Sequence, residues 1–592
     1  MWRLRIGLST AALILSMLLL GVLHVTAAGE QPPGPDRYKV IIQKYTSYEW
    51  WLTSWTDNTV VCSIDIDHEG VPGGEDIFKS CGQEVYDEWI VTKPCPQGGT
   101  CNGYYLQFVK SVPAQRKVGV QQPPPVVWVT LDGCVTYKST FRCASLPTLV
   151  LTGEEPLQGE HITSLAGTID GKPFTCDPIC QVDLVPTGDI GSTLQFWAFS
   201  SYGDSSEVFQ ARVRVVKSTE PSDQAWYTDV LSSQWRGETL AGCSQIWDTF
   251  PPAGGTTEWL TTPQRPQDLA TNVSYEYLAA ALINHYVVDA STCEAGGLLA
   301  NGLANTCGLE VARPAVHEWQ NRFDDLIFTA ARQTGVPAPL LKNIFARESQ
   351  FWPGTDTGHW EAGLGQMTDG GADVVLTWNP SFYEQFCPSV LDKSVCKTKI
   401  YPNPESEWQG MGLDEVERSL LRGALVQSVD AVCPSCSMGI DMDKAEYSVN
   451  VFAQTLVANC EQTGEVIKIN YGNATAVNAA SYEDLWRFTL VNYNAGPGCL
   501  GLAVDKTSRM GEPLDWAHLS SHLTPACQGA IEYVNEVSSP TLSESPPIGS
   551  GEAPNEAPSI TTTKAPIEEP TLTIPGVPTE VQTKTSSEPP AP

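Results

Sequence analysis

Positive charge is what this chain has least of. Its 592 residues hold 35 Lys and Arg against 68 Asp and Glu, a formal net charge of −33. A nucleic-acid ligand needs a basic face, so that class is excluded. Electrostatic adhesion to an anionic cell wall is disfavoured too, and affinity for any polymer must come from local groove contacts. Long apolar runs are equally scarce. Only the stretch from about Leu8 to Val25 could span a bilayer. It follows Met1-Trp-Arg-Leu-Arg5 and runs into small residues at Ala27 and Ala28, the pattern of an export signal. Residues 1–28 are therefore expected to be a signal peptide or, if uncleaved, a membrane anchor, and the protein is expected to be extracytoplasmic, secreted or at the cell surface. The first cysteine is Cys62, which argues against a lipoprotein anchor. At the other end, residues 538–592 lack aromatic residues and cysteine but hold twelve prolines among many Ser, Thr and Glu. Such a segment cannot bury enough apolar surface to offset its chain entropy and is expected to be disordered.

Cysteine, by contrast, is abundant. Eighteen lie between Cys62 and Cys527, an even number that in an exported chain favours disulfides. Close spacing suggests the local pairs Cys95 with Cys101, Cys134 with Cys143, Cys176 with Cys180, and Cys387 with Cys396. Cys433-Pro-Ser-Cys436 reads as a plain bridge, a redox pair, or half of a zinc site with Cys387 and Cys396. Cys499 is expected to bridge Cys527, or one of them Cys460. No cofactor or resident metal is implied; Asp65-Ile-Asp67-His68-Glu69-Gly70 looks only superficially like a calcium loop, because strand-like residues flank it.

Composition divides the rest. Residues 36–122 alternate in polarity, are rich in Trp and Tyr and are punctuated by Gly and Pro, which predicts a cystine-stapled β domain. Residues 126–217 offer short strands at Thr148–Thr152, His161–Ile169, Gln181–Pro186, Thr193–Ser200 and Val208–Val216, the spacing of an immunoglobulin-like sandwich. Residues 218–320 read as a mixed connector with a helical segment around Tyr275 to His285 that packs on, or extends, the next domain. The fold class is thus multidomain: all-β modules, then a mainly α domain over 321–537 with an insertion at about 379–445.

The chemistry lies in that last domain. Leu340, Leu341, Ile344 and Phe345 recur at helical spacing, and Glu348 falls on the same apolar face. Trp352 precedes Pro353, which ends the helix there. Glu348 would then sit in the last turn, where burial and the helix dipole both penalise the ionised form and should raise its pKa. A retained proton is what a glycosidic general acid needs. A structural glutamate paired with Arg347 would look the same in isolation. Gly363-Leu-Gly-Gln366 adds a flexible turn and an amide. Trp486, Leu490 and Tyr493 share a helix face that Gly496-Pro497-Gly498 should stop.

Glu348-Ser349, Gly363-Leu364-Gly365-Gln366 and Asn492-Tyr493-Asn494-Ala495-Gly496 together resemble the soluble lytic transglycosylase and goose-type lysozyme-like family, across about Asn321 to Val537. Phe323–Arg332 is similar to the family's opening helix and Ile531-Glu532-Tyr533-Val534 to its closing one. The chain departs from the family in carrying Gly365 where Met is usual, with Met367 after the glutamine. His359-Trp360-Glu361-Ala362 replaces the usual Gly-Ala, and Gly529 stands where an acidic residue is usual. The resemblance implies a lysozyme-like fold and cleavage of the MurNAc–GlcNAc β-1,4 bond of peptidoglycan glycan strands. Glu348 would be the single catalytic acid, and Ser349, Gly363, Gln366, Met367, Tyr493 and Asn494 the substrate-binding set. The family's product is a 1,6-anhydro end. Glu361 and Asp369 leave open a hydrolytic, goose-type variant in which water attacks. Trp352, Trp360 and Trp378 are candidate sugar platforms. A rival class, a surface protein that grips glycan without cleaving it, is suggested by the β modules and the tail.

Overall fold

The computed structural model describes residues 37–93, 101–220, 222–238, 242–354, 361–398, 413–472 and 475–539. The segment read as an export signal, Cys95, Trp360 and the tail from 540 onward lie outside the described residues. The chain forms two compact units. One runs up to Glu238 and includes Ala253–Gly255; the other comprises the rest. The first is built of antiparallel sheets and the second is helical.

The β unit begins with β1 (Tyr38–Ser54), β2 (Val60–Ile66) and β3 (Tyr104–Gln121), in the order β2-β1-β3. Between β2 and β3 stand two helices, α1 (Gly74–Cys81) and α2 (Gln83–Ile90), which the all-β reading of this stretch did not contain. Each is eight residues long, too short for helical periodicity to stand out among strand-like neighbours. Ile77 of α1 is buried with Leu52, Ile64 and Ile66, and Cys62–Cys81 ties β2 to that helix.

β2 covers only Tyr48–Thr53 of β1. From Tyr38 to Ser47, β1 pairs with β3 alone, in the register Tyr38↔Gln121 to Ser47↔Val112. The result is a two-stranded ribbon open on both faces, with Tyr38, Val40 and Ile42 more than half exposed. At its root Arg37 is completely buried. Its guanidinium donates to Glu155 at 2.6 and 2.7 Å, to Asp204 at 2.5 and 2.8 Å, and to the Pro123 carbonyl at 3.1 Å.

The second sheet holds β4 (Val126–Tyr137), β5 (Thr140–Glu154), β6 (Ile162–Ile169), β7 (Lys172–Cys176), β8 (Ile179–Asp183), β9 (Ser192–Ser200), β10 (Phe209–Lys217) and β11 (Trp226–Leu231). Their order is β4-β5-β11-β10-β9-β6-β7, with β8 also on β5. The five strands expected from alternation fall in β5, β6, β8, β9 and β10. Inward positions such as Leu149, Leu151, Phe196, Val213 and Val215 form its core. Cys134–Cys143 and Cys176–Cys180 are bridged, as their spacing suggested. β11 arises from the span read as a connector, so that span is divided between the two units.

The helical unit contains α3 (Glu276–Asn284), α4 (Thr306–Asn321), α5 (Asp324–Thr334), α6 (Ala338–Ser349), α7 (Asp369–Trp378), α8 (Glu415–Val429), α9 (Met442–Asn470), α10 (Tyr482–Met510) and α11 (Gly529–Val537), with shorter turns between. One large core runs from Cys243 to Val537, with a small second cluster at Ile283, Ala290 and Cys293. The central α9 packs against α5, α7, α8 and α10. Cys243 is bridged to Cys460 of α9. Beside it Trp247 donates to the Cys460 carbonyl at 2.9 Å and meets Trp486 edge-on at 5.3 Å. The remainder of the former connector therefore belongs to the helical body, a tie across 217 positions that local spacing could not reveal. Cys387–Cys396 and Cys433–Cys436 are bridged within the insertion, which leaves no thiolates there for a shared zinc site. No described cysteine is free. Disulfides in this number fit an oxidising compartment. Among the described residues no helix is long and apolar enough to cross a membrane.

Candidate functional site

Helix α6 is buried almost all round rather than on one face. Ala338 through Phe345 are all inaccessible, including Lys342 and Asn343. Lys342 tolerates this because its ammonium donates to Asp324 (2.6 Å), Asn321 (2.8 Å) and the Leu269 carbonyl (2.8 Å). Asn343 donates to the Val537 carbonyl at 2.9 Å, holding the end of α11 against α6. The helix ends at Ser349 instead of Trp352: Gln350 and Phe351 turn left-handed, with φ of 45° and 63°. Glu348 thus stands in the last turn and is half-buried.

Behind it the chain folds a tight turn. Ala362 and Met367 exchange backbone hydrogen bonds at 2.9 and 2.8 Å, and the Ser349 hydroxyl donates to the Leu364 carbonyl at 2.7 Å. Gly363 has φ of +73°, and a Cβ there would lie 2.9 Å from the Val429 carbonyl. At Gly365 a Cβ would lie 2.5 Å from the Phe452 ring. Phe452 of α9 fills the space that a side chain at this position would need. Gln366 is left-handed at φ 54°, and its amide donates back to the Gly363 carbonyl at 2.9 Å. Ser349 and Met367 are both buried, so they shape the turn from behind, whereas Asn494 is exposed.

The Tyr493 hydroxyl donates to the Gly365 carbonyl at 2.7 Å, joining α10 to this turn. α10 does not stop at Gly496. That residue leaves helical geometry (φ 84°, ψ 166°) and the helix resumes at once to Met510. Glycine supplies the break, and Pro497 fits the first turn of the restarted helix, where no N–H partner is needed. Cys499, just past the break, is bridged to Cys527. That bridge brings α11 alongside, and Tyr533 lies against Tyr493 with ring centroids 6.4 Å apart.

The sequence reading placed Tyr533 in a closing helix and gave it no role at the site; the structure sets it beside Glu348. Burial first, and then the negative charge of Glu348, push its hydroxyl well above the ordinary phenol range. The hydroxyl faces the Glu348 carboxylate, and its hydrogen bonding to that group adds to the shift. Tyr493 is raised in the same way, by burial, then Glu348, then Glu361. The site is therefore a half-buried carboxylate flanked by two phenols that stay protonated at any ordinary pH. A tyrosine followed by valine in a short closing helix was the only sequence signal for this role, and its position depends on a distant disulfide.

The remaining candidates lie apart. Asp369 opens α7, exposed, with its charge felt by Arg422 rather than by the tyrosines. Trp352 is not a platform: it is 2% exposed and sandwiched between Trp319 and His285 at 5.1 and 5.0 Å. Trp378 is partly buried against the core. Asp76 of the calcium-like stretch caps the Gly73 amide and pairs with His68. Among the described residues no cluster of His, Cys, Asp and Glu is set to hold a metal ion. No protein-family model matches the chain, and no curated protein or solved structure is significantly similar to it.

Proposed function

We propose that this is an exported peptidoglycan-cleaving enzyme, a lytic transglycosylase with Glu348 as its acid. The observation that carries the reading is the convergence of α6, the Ala362–Met367 turn, α10 and α11 on one half-buried carboxylate, with Tyr493 and Tyr533 beside it. A general acid needs a proton to give and neighbours that fix its direction. In the proposed step Glu348 protonates the leaving O4 of N-acetylglucosamine as the C1–O4 bond breaks. The muramoyl C6 hydroxyl then attacks C1 and returns its proton to Glu348, closing the 1,6-anhydro ring. Gln366 and the exposed Asn494 would contact the glycan, Tyr533 would hold the carboxylate, and Tyr493 would fix the Gly365 turn beside it. In this reading the helical unit has a lysozyme-like fold. The second sheet is an immunoglobulin-like module that spaces or presents it, and residues 1–28 direct export or anchor the chain.

A hydrolytic variant has one observation in its favour. The charge of Glu361, like that of Glu348, is felt at Tyr493. A second carboxylate there could activate a water in place of the C6 hydroxyl. Mass spectrometry of fragments released from purified sacculi separates the readings. Anhydro ends support transglycosylation, reducing ends support hydrolysis through Glu361, and no fragments would leave only a glycan-binding protein.

A further inference from the structure

Helix α6 ends in a manner that its own sequence does not secure. Gln350 and Phe351 are consecutive left-handed residues without glycine, a conformation that costs free energy wherever a Cβ is present. Unless held, the last turn of α6 would relax toward continued helix or fray, and Glu348 sits in that turn.

The restraint comes from far upstream. Helix α3 begins at Tyr275, whose side chain cannot cap it. Gln350 supplies the missing cap from 73 positions away. Its Oε1 accepts from the backbone N–H groups of Tyr277 and Leu278 at 2.9 and 3.2 Å, the amides left unpaired at a helix start. Next to it the Phe351 carbonyl accepts from the indole N–H of Trp319 at 2.8 Å. The Phe351 ring is fully buried and meets Tyr275 edge-on at 5.8 Å. Both strained residues are thus clamped by α3 and α4.

We propose that Gln350 is a positioning residue: by capping α3 it fixes the left-handed exit of α6 and with it the direction of the Glu348 carboxylate. Its catalytic consequence rests on the reading of Glu348 as the acid. On this account the segment before α5 is part of the catalytic device, and its contact with Gln350 acts on kcat and leaves KM alone. Nothing in the clamp touches a bound glycan, so binding should be spared.

The test uses the full chain with Gln350→Ala, and Gln350→Glu as the conservative rescue. Glutamate keeps the acceptor oxygens and suits a helix N-terminus. Three quantities are read: hydrogen exchange at the Tyr277 and Leu278 amides, the ring 13C signal of Tyr533 facing Glu348, and kcat and KM on solubilised glycan strands. Gln350→Ala should speed exchange at both amides, move the Tyr533 signal, and lower kcat about tenfold with KM within twofold. Gln350→Glu should recover most of each. Fast exchange in Gln350→Ala with an unmoved Tyr533 signal would overturn the proposal, as would unchanged kcat. If the wild-type protein cleaves no glycan, the reading of Glu348 as an acid fails. The Tyr533 signal still decides whether the clamp positions that carboxylate.

Discussion

Within each unit the long-range ties differ in kind. In the β unit each described disulfide closes a short loop, with separations of 19, 9 and 4 positions. The long-range tie there is ionic: Arg37 with Glu155 and Asp204, 118 and 167 positions away. In the helical unit one disulfide reaches across 217 positions and another across 28, and the groups around Glu348 come from four separate stretches of chain. A sheet is specified strand by strand and needs few distant ties. A site assembled from distant helices needs a tie for each of them.

The largest effect expected from attacking that comparison is on the chemistry. Glu348→Gln should keep the fold and lower glycan cleavage by about a thousandfold or more, since the near-isosteric amide cannot give up a proton. Turbidity clearing of sacculi at near wild-type rate by the variant would remove Glu348 from its role.

Next comes the contrast between bridges. Replacing Cys243 and Cys460 by serine releases a loop worth about 5 kcal/mol by chain entropy, whereas the Cys176 and Cys180 pair should cost only about 2 kcal/mol. Chemical denaturation of the two double variants checks this. Equal losses would mean that loop length is not what distinguishes the units.

The ionic tie should be sensitive to acid. Burial alone would raise the Glu155 carboxyl, but hydrogen bonds from Arg37 and Ser200 outweigh it and hold the group at about 2, against an ordinary 4.5. A depressed carboxylate contributes stability that is complete above the ordinary value and lost as pH falls toward the folded one. With the Glu155 side chain 3% exposed, the contribution is about 2–3 kcal/mol. Denaturant midpoints of wild type and Glu155→Gln should differ at pH 7 and converge between about pH 4.5 and pH 2. A gap independent of pH would show that the carboxylate charge is not what matters.

The smallest effect concerns Tyr533. Tyr533→Phe should lower kcat about tenfold, near 1.4 kcal/mol in the barrier, with little change in melting temperature. The ring and its packing against Tyr493 are kept, and only the hydroxyl that faces Glu348 is removed. A large drop in stability with unchanged kcat would make it structural.

The same contrast explains what could be read in advance. Alternation exposed β5, β6, β8, β9 and β10, because a strand's two faces are written in consecutive residues. The pairs Cys134–Cys143, Cys176–Cys180 and Cys387–Cys396 followed from proximity along the chain. Glu348 was legible because Leu341, Ile344 and Glu348 fall at helical spacing. What escaped depended on partners far away: β11 beyond the expected end of its sheet, Cys243 opposite Cys460, and Tyr533 opposite Glu348. Trp352 read as a surface platform because nothing nearby in sequence announces Trp319 and His285 on its two faces. The eight-residue α1 and α2 were lost for the reverse reason, being too short to show a period.

The ribbon of Tyr38–Ser47 with Val112–Gln121 gives the small sheet a leash of defined reach. Ten residues of extended chain span about 33 Å. Both strands leave the ribbon toward the larger sheet, one at Arg37 and the other at Gln122, and β4 follows closely. Tension along the ribbon therefore passes through one covalent backbone, where β3 runs on into β4, and through the buried ion pairs of Arg37 at the start of β1. Bending and twisting meet much less resistance, because neither face is packed. Such a strap cannot lengthen but can swing, and Arg37, locked between Glu155 and Asp204, is the peg from which it swings.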